Sequence, residues 1–495
     1  MKDRREYFQR LCTPEDLEKI AYVPTFPEFL EKIKNLWGEK EAVSDGQNTY
    51  TYNELVKRVA MRRQFLYDQG FKAGDKIAVM TRTSIDAFEW YLAVPSAGMV
   101  LMMLPVQLDE TKLVGCTMKF GYSAIIAEEM FMPLCEKAPT KVFDIKSIGA
   151  SEGAYGEVEK KTVAAIYFTG GTTGAPKGAV LSQGALMRGA HNGIFRATQV
   201  WDNRYIAMLP LSHIFGSVCG FLTGLYSGSY IYACPDMKMA VGLIPVVKPT
   251  CLVVVPGLGE IIVSLAKVKG KAFLGNLNTL IVGAAPVPPR LMNDFRAFGI
   301  TPFPGYGLTE GANLTLANME ADEKPYSMGQ MYPDQEYRIE NGELWIKGDN
   351  VMEGYYNDPE KTAEVMEDGW LKTGDLVTVD EEGYFTIVGR IKNLIILPNG
   401  ENVSPEEVEE VYYKEDFVKD CLISEGELNG EAIIQLEILP YGPAIEGKSP
   451  EEIQAMAEAV VEKVNATVPT YWRVSKVSVR TEDFKRSGAM KILRN

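Results

Sequence analysis

Histidine is nearly absent: His191 and His213 are the two in 495 residues. A metal centre built on several imidazoles is thereby excluded. Basic residues are in deficit, with 51 Lys and Arg against 66 Asp and Glu for a net charge of −15. The chain therefore lacks the broad cationic field that sequence-independent nucleic-acid binding uses, so no nucleic-acid partner is expected. The seven cysteines (Cys12, Cys116, Cys135, Cys219, Cys234, Cys251 and Cys421) are odd in number and include no CxxC pair. They read as reduced, mostly buried thiols of a cytoplasmic protein. MKDRREYFQRLC is charged where a secretory leader needs an apolar run. The longest apolar stretch, VCGFLTGLYSGSYIYAC at 218–234, is interrupted by Gly, Ser and Thr; buried helix and strand are expected there, without stable membrane insertion.

What is present is ordinary globular material, 46% hydrophobic and 24% charged, in a chain too long for one core, so more than one domain is expected. Thr51 and Glu54 form a capping box before an apolar stripe (Leu55, Val56, Val59, Ala60, Leu66) that Gly70 ends. KIAVM at 76–80 reads as a strand. Short apolar runs at 163–168, 251–255 and 277–283 then alternate with helical patterns, which predicts an α/β fold with buried sheets. From about 335 the period becomes two, with turns at Asn341-Gly342, Asp368-Gly369 and Glu382-Gly383, so hairpins are expected. After Arg390, two helix starts follow: Ser404-Pro405 with Glu407 closing a box, and Ser449-Pro450-Glu451-Glu452. With strands at 431–439 and 474–480 they suffice for a small α+β domain.

The segment IYFTGGTTGAPKGAVLS at 166–182 carries the strongest chemical signal. Gly170, Gly171, Gly174 and Gly178 let backbone approach an anion, Thr169, Thr172 and Thr173 offer hydroxyls, and Lys177 adds a positive charge. It is a loop for a phosphate chain, yet not a P-loop, because Pro176 precedes Lys177 and Gly178 follows it.

This segment resembles the signature loop of the adenylate-forming (AMP-binding) superfamily, in its acyl-CoA synthetase branch. LPLSHIFG (209–216), GAAP (283–286), GYGLTE (305–310), GELWIKGDNVMEGYYNDPEKT, GWLKTGDL and GRIKNLI match the later segments of that family in order. The resemblance spans roughly 40–495 and implies a large multi-sheet N-terminal domain with a β-rich subdomain, 1–390, and a small mobile C-terminal domain, 391–495, with a hinge near Lys392. It implies ATP and Mg²⁺ as cofactors and CoA, or the phosphopantetheine of a carrier protein, as acceptor. Within that frame Gly283, Ala284 and Ala285 let the adenine lie against backbone, Tyr306 and Gly307 offer a flat face, Thr309 bonds an α-phosphate oxygen, and Glu310 holds the metal. Asp375 takes the ribose hydroxyls and Arg390 a second ribose or phosphate contact. The family's C-terminal catalytic lysine falls on Lys491 in FKRSGAMKILR, with Lys485 as the alternative; Met490 stands where the family usually has Gly, and Arg486-Ser487 where it has Lys-Thr.

Amino-acid-activating relatives carry a carboxylate in the segment where His213 and Phe215 stand here, so an amino acid is not the expected substrate. The expected acyl wall is apolar and glycine-rich: His213, Ile214, Phe215, Gly216, Val255, Gly257, Leu258, Gly283, Gly305, Leu308 and Ala312. Small residues there are expected to leave depth. The leading expectation is a medium- or long-chain fatty-acid–CoA ligase, monomeric or homodimeric, with a small-molecule carboxylic acid as substrate. The alternatives are an aryl- or arylalkanoate-CoA ligase, an enzyme loading a carrier protein, and, from another class, a non-catalytic nucleotide-binding protein. Two departures from the family pattern are Gln183, in place of a common histidine, and Ile396, where many CoA ligases have a second lysine.

Overall fold

A computed structural model describes residues 12–169, 177–194, 200–285, 287–397, 401–428 and 431–486, with Ile492 and Arg494. Alternation of side chains along KIAVM explains the central layer. Ile77 and Val79 enter the main core, whereas Ala78 and Met80 face a second apolar cluster with Met102, Ile125 and Ile166. A strand greasy on both sides must be covered on both sides, and Lys76–Met80 accordingly lies inside a seven-stranded sheet. Its order is Gly354–Tyr355, Lys177–Ser182, Val163–Thr169, Val100–Met103, Lys76–Met80, Ala124–Ala127, Lys141–Asp144. The last five are parallel; the first three pair antiparallel.

A five-stranded sheet places Cys251–Val254, Thr279–Val282 and Thr301–Leu308 in parallel, then turns back through Asn313–Ala317 and Gln330–Met331. The expected helix is Tyr52–Asp68, with the Thr51/Glu54 capping box and Gly70 at φ 83° just beyond its end. The expected hairpins form as well: Gln335–Glu340 pairs with Glu343–Gly348 across Asn341 (φ 52°) and Gly342 (φ 84°), the left-handed pair that a tight hairpin turn requires. No helix of the described residues is long and apolar enough to cross a membrane; the run at 218–234 is buried helix and strand.

Residues 395–474 build their own apolar cluster around Val408, Tyr412, Ile423, Leu436 and Val461, separate from the main core. Helices Pro405–Tyr412 and Pro450–Asn465 accompany strands Val418–Leu428, Glu431–Pro440 and Lys476–Val479. Ser449 heads a full capping box with Glu452. The expected box at Ser404 is only half made. Its hydroxyl accepts from Glu407 N at 3.5 Å, but the same hydroxyl donates to Glu406 at 3.2 Å, and Glu407 does not return. Glu406 is the nearer carboxylate and takes the proton that leaves Ser404 facing it.

Candidate active site

The phosphate-loop segment folds as an antiparallel hairpin: Thr169 and Lys177 are register partners. Gly170, Gly171, Thr172, Thr173 and Gly174 lie outside the described residues. Lys177 holds its ammonium 4.9 Å from the centre of the Tyr355 ring. Tyr355 stands there because Gly354–Tyr355 adds to the outer edge of the hairpin, Tyr355 opposite Ala179. The phenol of Tyr355 donates to Glu310 Oε1 at 2.8 Å. Burial, and then the Glu310 carboxylate, push that phenol's pKa upward, so it stays a donor.

Glu310 sits on the short turn Thr309–Gly311. Met352 N donates to its carbonyl at 2.8 Å, and the fully buried Asn350 donates to Gly311 O at 2.8 Å. The turn is strained: Ala312 (φ 48°) and Asn313 (φ 101°) follow it in left-handed conformations, and Ala284 of the GAAP segment has φ 69°. Left-handed alanine is costly and tends to gather where a ligand dictates backbone shape. Pro286 lies outside the described residues.

Below this turn, strands Trp370–Val379 and Phe385–Arg390 pair Asp375 with Arg390. Asp375 is 0% exposed. Its Oδ2 accepts from the Tyr306 phenol and, at 3.2 Å, from Arg390 Nη2. Its Oδ1 lies 2.5 Å from Arg390 Nε but without the alignment of a hydrogen bond, and keeps that capacity unused. Burial works against the Arg390 charge and Asp375 more than offsets it, so the guanidinium is held more firmly protonated. Burial, with Asp375 beside it, raises the Tyr306 phenol far above its ordinary range. Tyr306, Asp375 and Arg390, expected at one nucleotide, touch one another in the structure, and the face of Tyr306 is fixed through its hydroxyl.

His213 is half-buried, and the chain after it winds as a π-helix, Phe215–Leu222, a form that concentrates at functional positions. Ser217 donates to His213 O at 3.1 Å. It also closes a buried hydroxyl chain, Tyr91 to Tyr167 at 2.7 Å and Tyr167 to Ser217 at 2.8 Å. Two expected sources of pocket depth are filled. A Cβ on Gly216 would stand 2.4 Å from Pro210 O, and one on Gly283 would stand 3.1 Å from Phe215 Cζ and 3.3 Å from Gly305 O. These glycines permit close approach instead of leaving space. Ile214, Val255 and Leu258 are buried, Gly257 opens the helix Pro256–Lys269, and Leu308 is half-buried beside Gly311.

Lys392 is exposed on the turn Ile391–Asn393, and Ile396 is 66% exposed. Lys491 lies outside the described residues, and Lys485 is exposed. Arg486 and Ile492 on either side of Lys491 form an antiparallel bridge. Sequence reasoning missed Tyr355, Asn350 and Ser217, and gave Gln183 no role. Gln183 is fully buried, accepting from Phe26 N at 2.9 Å and donating to Pro95 O at 2.8 Å. Among the described residues no group of three or more His, Cys, Asp or Glu could hold a metal ion. The lone Glu310 carboxylate beside Thr309 suits Mg²⁺, which takes most of its ligands from phosphate and water.

The fold matches solved structures closely. An o-succinylbenzoate CoA synthetase from Bacillus subtilis, in complex with its acyl-adenylate, superposes with a TM-score of 0.81 at 22% identity over 94% of this chain and 96% of that one. Among curated proteins, a feruloyl-CoA synthase from Amycolatopsis is 32% identical over 77% of this chain and 82% of its own length. A long-chain-fatty-acid–CoA ligase from Bacillus subtilis is 25% identical over 90% and 91%. The AMP-binding enzyme family matches residues 30–356 and the AMP-binding enzyme C-terminal domain residues 392–495: this chain belongs to the AMP-binding enzyme family.

Proposed function

We propose that this chain is an AMP-forming acid–CoA ligase for a bulky, largely apolar carboxylic acid. Acid and ATP give acyl-AMP and pyrophosphate; the CoA sulfur then displaces AMP to form the thioester. The observation that carries the nucleotide half is Asp375, a fully buried carboxylate with one oxygen still lacking a hydrogen bond. A ribose hydroxyl is the kind of donor that fits it, and Arg390 holds the carboxylate in place for that purpose.

Each remaining group has a role that its surroundings support. Lys177 and the hairpin tip meet the phosphates. Thr309 donates to the α-phosphate, and Glu310, oriented by Tyr355, would hold Mg²⁺. The ion, when bound, neutralises phosphate charge. Gly283, Ala284, Ala285 and Gly307 seat the adenine against backbone, with Tyr306 beside it. Two anions must meet in the first half-reaction, and Lys491 bridges them. The unit from 391 onward, with its separate core, then swings about Lys392 to admit the thiol past His213.

For the acid, a medium- or long-chain fatty acid is the first reading. A second, an arylalkanoate, is favoured by the feruloyl-CoA relative. The test is AMP release from a panel of straight-chain acids, cinnamates and arylpropanoates, each with CoA, with carrier protein, and with neither. CoA-dependent release with one class supports the proposal and names the acid. Release only with carrier protein makes the chain a loading enzyme, and release with no acid at all removes the ligase reading.

A further inference from the structure

The small C-terminal unit meets the large one where the helix Pro405–Tyr412 packs on the strand Phe385–Arg390, and also through charge and aromatic rings, while their apolar clusters stay apart. Two contacts are reciprocal. Arg290, on the first turn of the helix Pro289–Ala297, lays its guanidinium 4.3 Å from the centre of the Tyr441 ring of the small unit. Lys414 of the small unit sits 5.1 Å from the ring of Tyr326 in the large one. Arg290 is the better seated of the two cations. Its Nη2 pairs with Glu260 on the helix Pro256–Lys269 at 3.2 Å. Its Nη1 is buried without a hydrogen-bond partner. Asp420, Lys419 and Arg486 of the small unit stand near enough to Glu260 for their charges to act on it, and burial raises its carboxyl.

This contact is specific and breakable. Arg290 and Glu260 retain 29% and 24% exposure, so the pair is only partly screened from water, and a cation over a ring adds a modest directional attraction. A polar interface without a shared core is what a unit that moves requires. The pose also has a functional sense. Arg486, which bridges Ile492 across the segment holding Lys491, belongs to the same small unit as Tyr441, and Glu260, the brace of Arg290, stands on the helix Pro256–Lys269, whose first turn holds Gly257 and Leu258 of the expected acyl wall.

We propose that Arg290, braced by Glu260 and seated on Tyr441, is a positioning residue: a latch that holds the small unit in the pose used for adenylation. This rests on the ligase reading above, in which the first half-reaction needs the small unit docked.

The latch is tested on the full-length enzyme with Tyr441→Leu and Arg290→Gln, and with Tyr441→Phe as the variant that keeps the ring. Three quantities are read: acid-dependent ATP–pyrophosphate exchange, thioester formation from supplied acyl-adenylate, and the distance distribution between spin labels at Met118→Cys and Ala459→Cys, both exposed and remote from the latch. Tyr441→Leu and Arg290→Gln should lower exchange about three- to ten-fold, leave thioester formation at or above its original rate, and broaden the distance distribution. Tyr441→Phe should restore all three. Equal loss in both half-reactions, or a distribution that Tyr441→Leu leaves unchanged, would overturn the latch. Lys491→Ala is run alongside, because it should slow exchange roughly 10²–10³-fold with the distances unaltered. If it keeps exchange while the latch variants lose it, the Lys491 assignment fails and the latch stands.

Discussion

Asp375 is held by the protein's own Arg390 and Tyr306, and the proposed ribose contact would add a donor from outside. Replacing it with Ala should weaken ATP binding about 10- to 100-fold, the range for a lost hydrogen bond to a charged group; calorimetric affinity equal to the parent protein's would remove the ribose role. Lys491→Ala should slow acid-dependent ATP–pyrophosphate exchange roughly 10²–10³-fold, as for the loss of one key stabilising charge, and spare thioester formation from supplied acyl-adenylate. His191 concerns stability alone. Burial, with Arg188 and Lys32 adding their charges, pushes its imidazole down to about 3 from 6.5. Between those values the unfolded chain binds a proton that the folded protein refuses. Stability therefore falls as pH drops below 6.5, by up to about 1.4 kcal/mol per pH unit from this group. His191→Gln should flatten that decline in urea unfolding between pH 7 and 5, and an unchanged slope would assign it to other groups. The residues legible in advance, Tyr306, Glu310, Asp375 and Arg390, all stand in ordered motifs whose chemistry is local to the motif. Tyr355 was not. It is one of two adjacent tyrosines, and only the pairing of Gly354–Tyr355 with Lys177–Ser182 shows which of them reaches Glu310.

At the scale of elements, the helix Gln183–Ile194 packs so closely on the turn Thr309–Gly311 and its end that a Cβ on Gly189 would lie 2.0 Å from Ala312 O. Gly189→Ala should therefore cost about 1–3 kcal/mol of stability, the usual toll of overpacking, and should lower adenylation as well, because Ala312 ends the turn that carries Thr309 and Glu310. Full activity at reduced stability would show that the turn absorbs the strain. Elements with local signatures could be read directly: the capping boxes at Thr51 and Ser449, and the Asn341-Gly342 hairpin. The strand Val418–Leu428 could not, since its alternation is broken by Lys419, Asp420 and Gly426, although its antiparallel partner Glu431–Pro440 follows at once in the chain. The π-helix after His213 likewise has no period of its own in a run that is apolar on every face. The same limit misread the glycines. Sequence registers a missing side chain at Gly216 and Gly283, but not that Pro210 O and Phe215 already occupy the room.

For the whole molecule, the net charge is opposite in sign to the cations of the segments proposed to meet the nucleotide. A chain at −15 collects Lys177, Arg390, Lys392 and Lys491 in the segments assigned to nucleotide and hinge, so screening by salt should weaken nucleotide capture more than folding. One further property touches every cysteine. All seven are buried, and burial raises the thiols of Cys12, Cys116, Cys234 and Cys421, and that of Cys135 to about 11. A disulfide reagent should therefore find almost nothing to react with in the native enzyme and all seven groups in denaturant; prompt native reaction would mean that a thiol is accessible. Mixed anhydrides such as acyl-AMP acylate whatever thiolate they meet. By keeping its own sulfur buried and out of reach, this protein is spared self-acylation, and the activated acid waits for a nucleophile brought from outside.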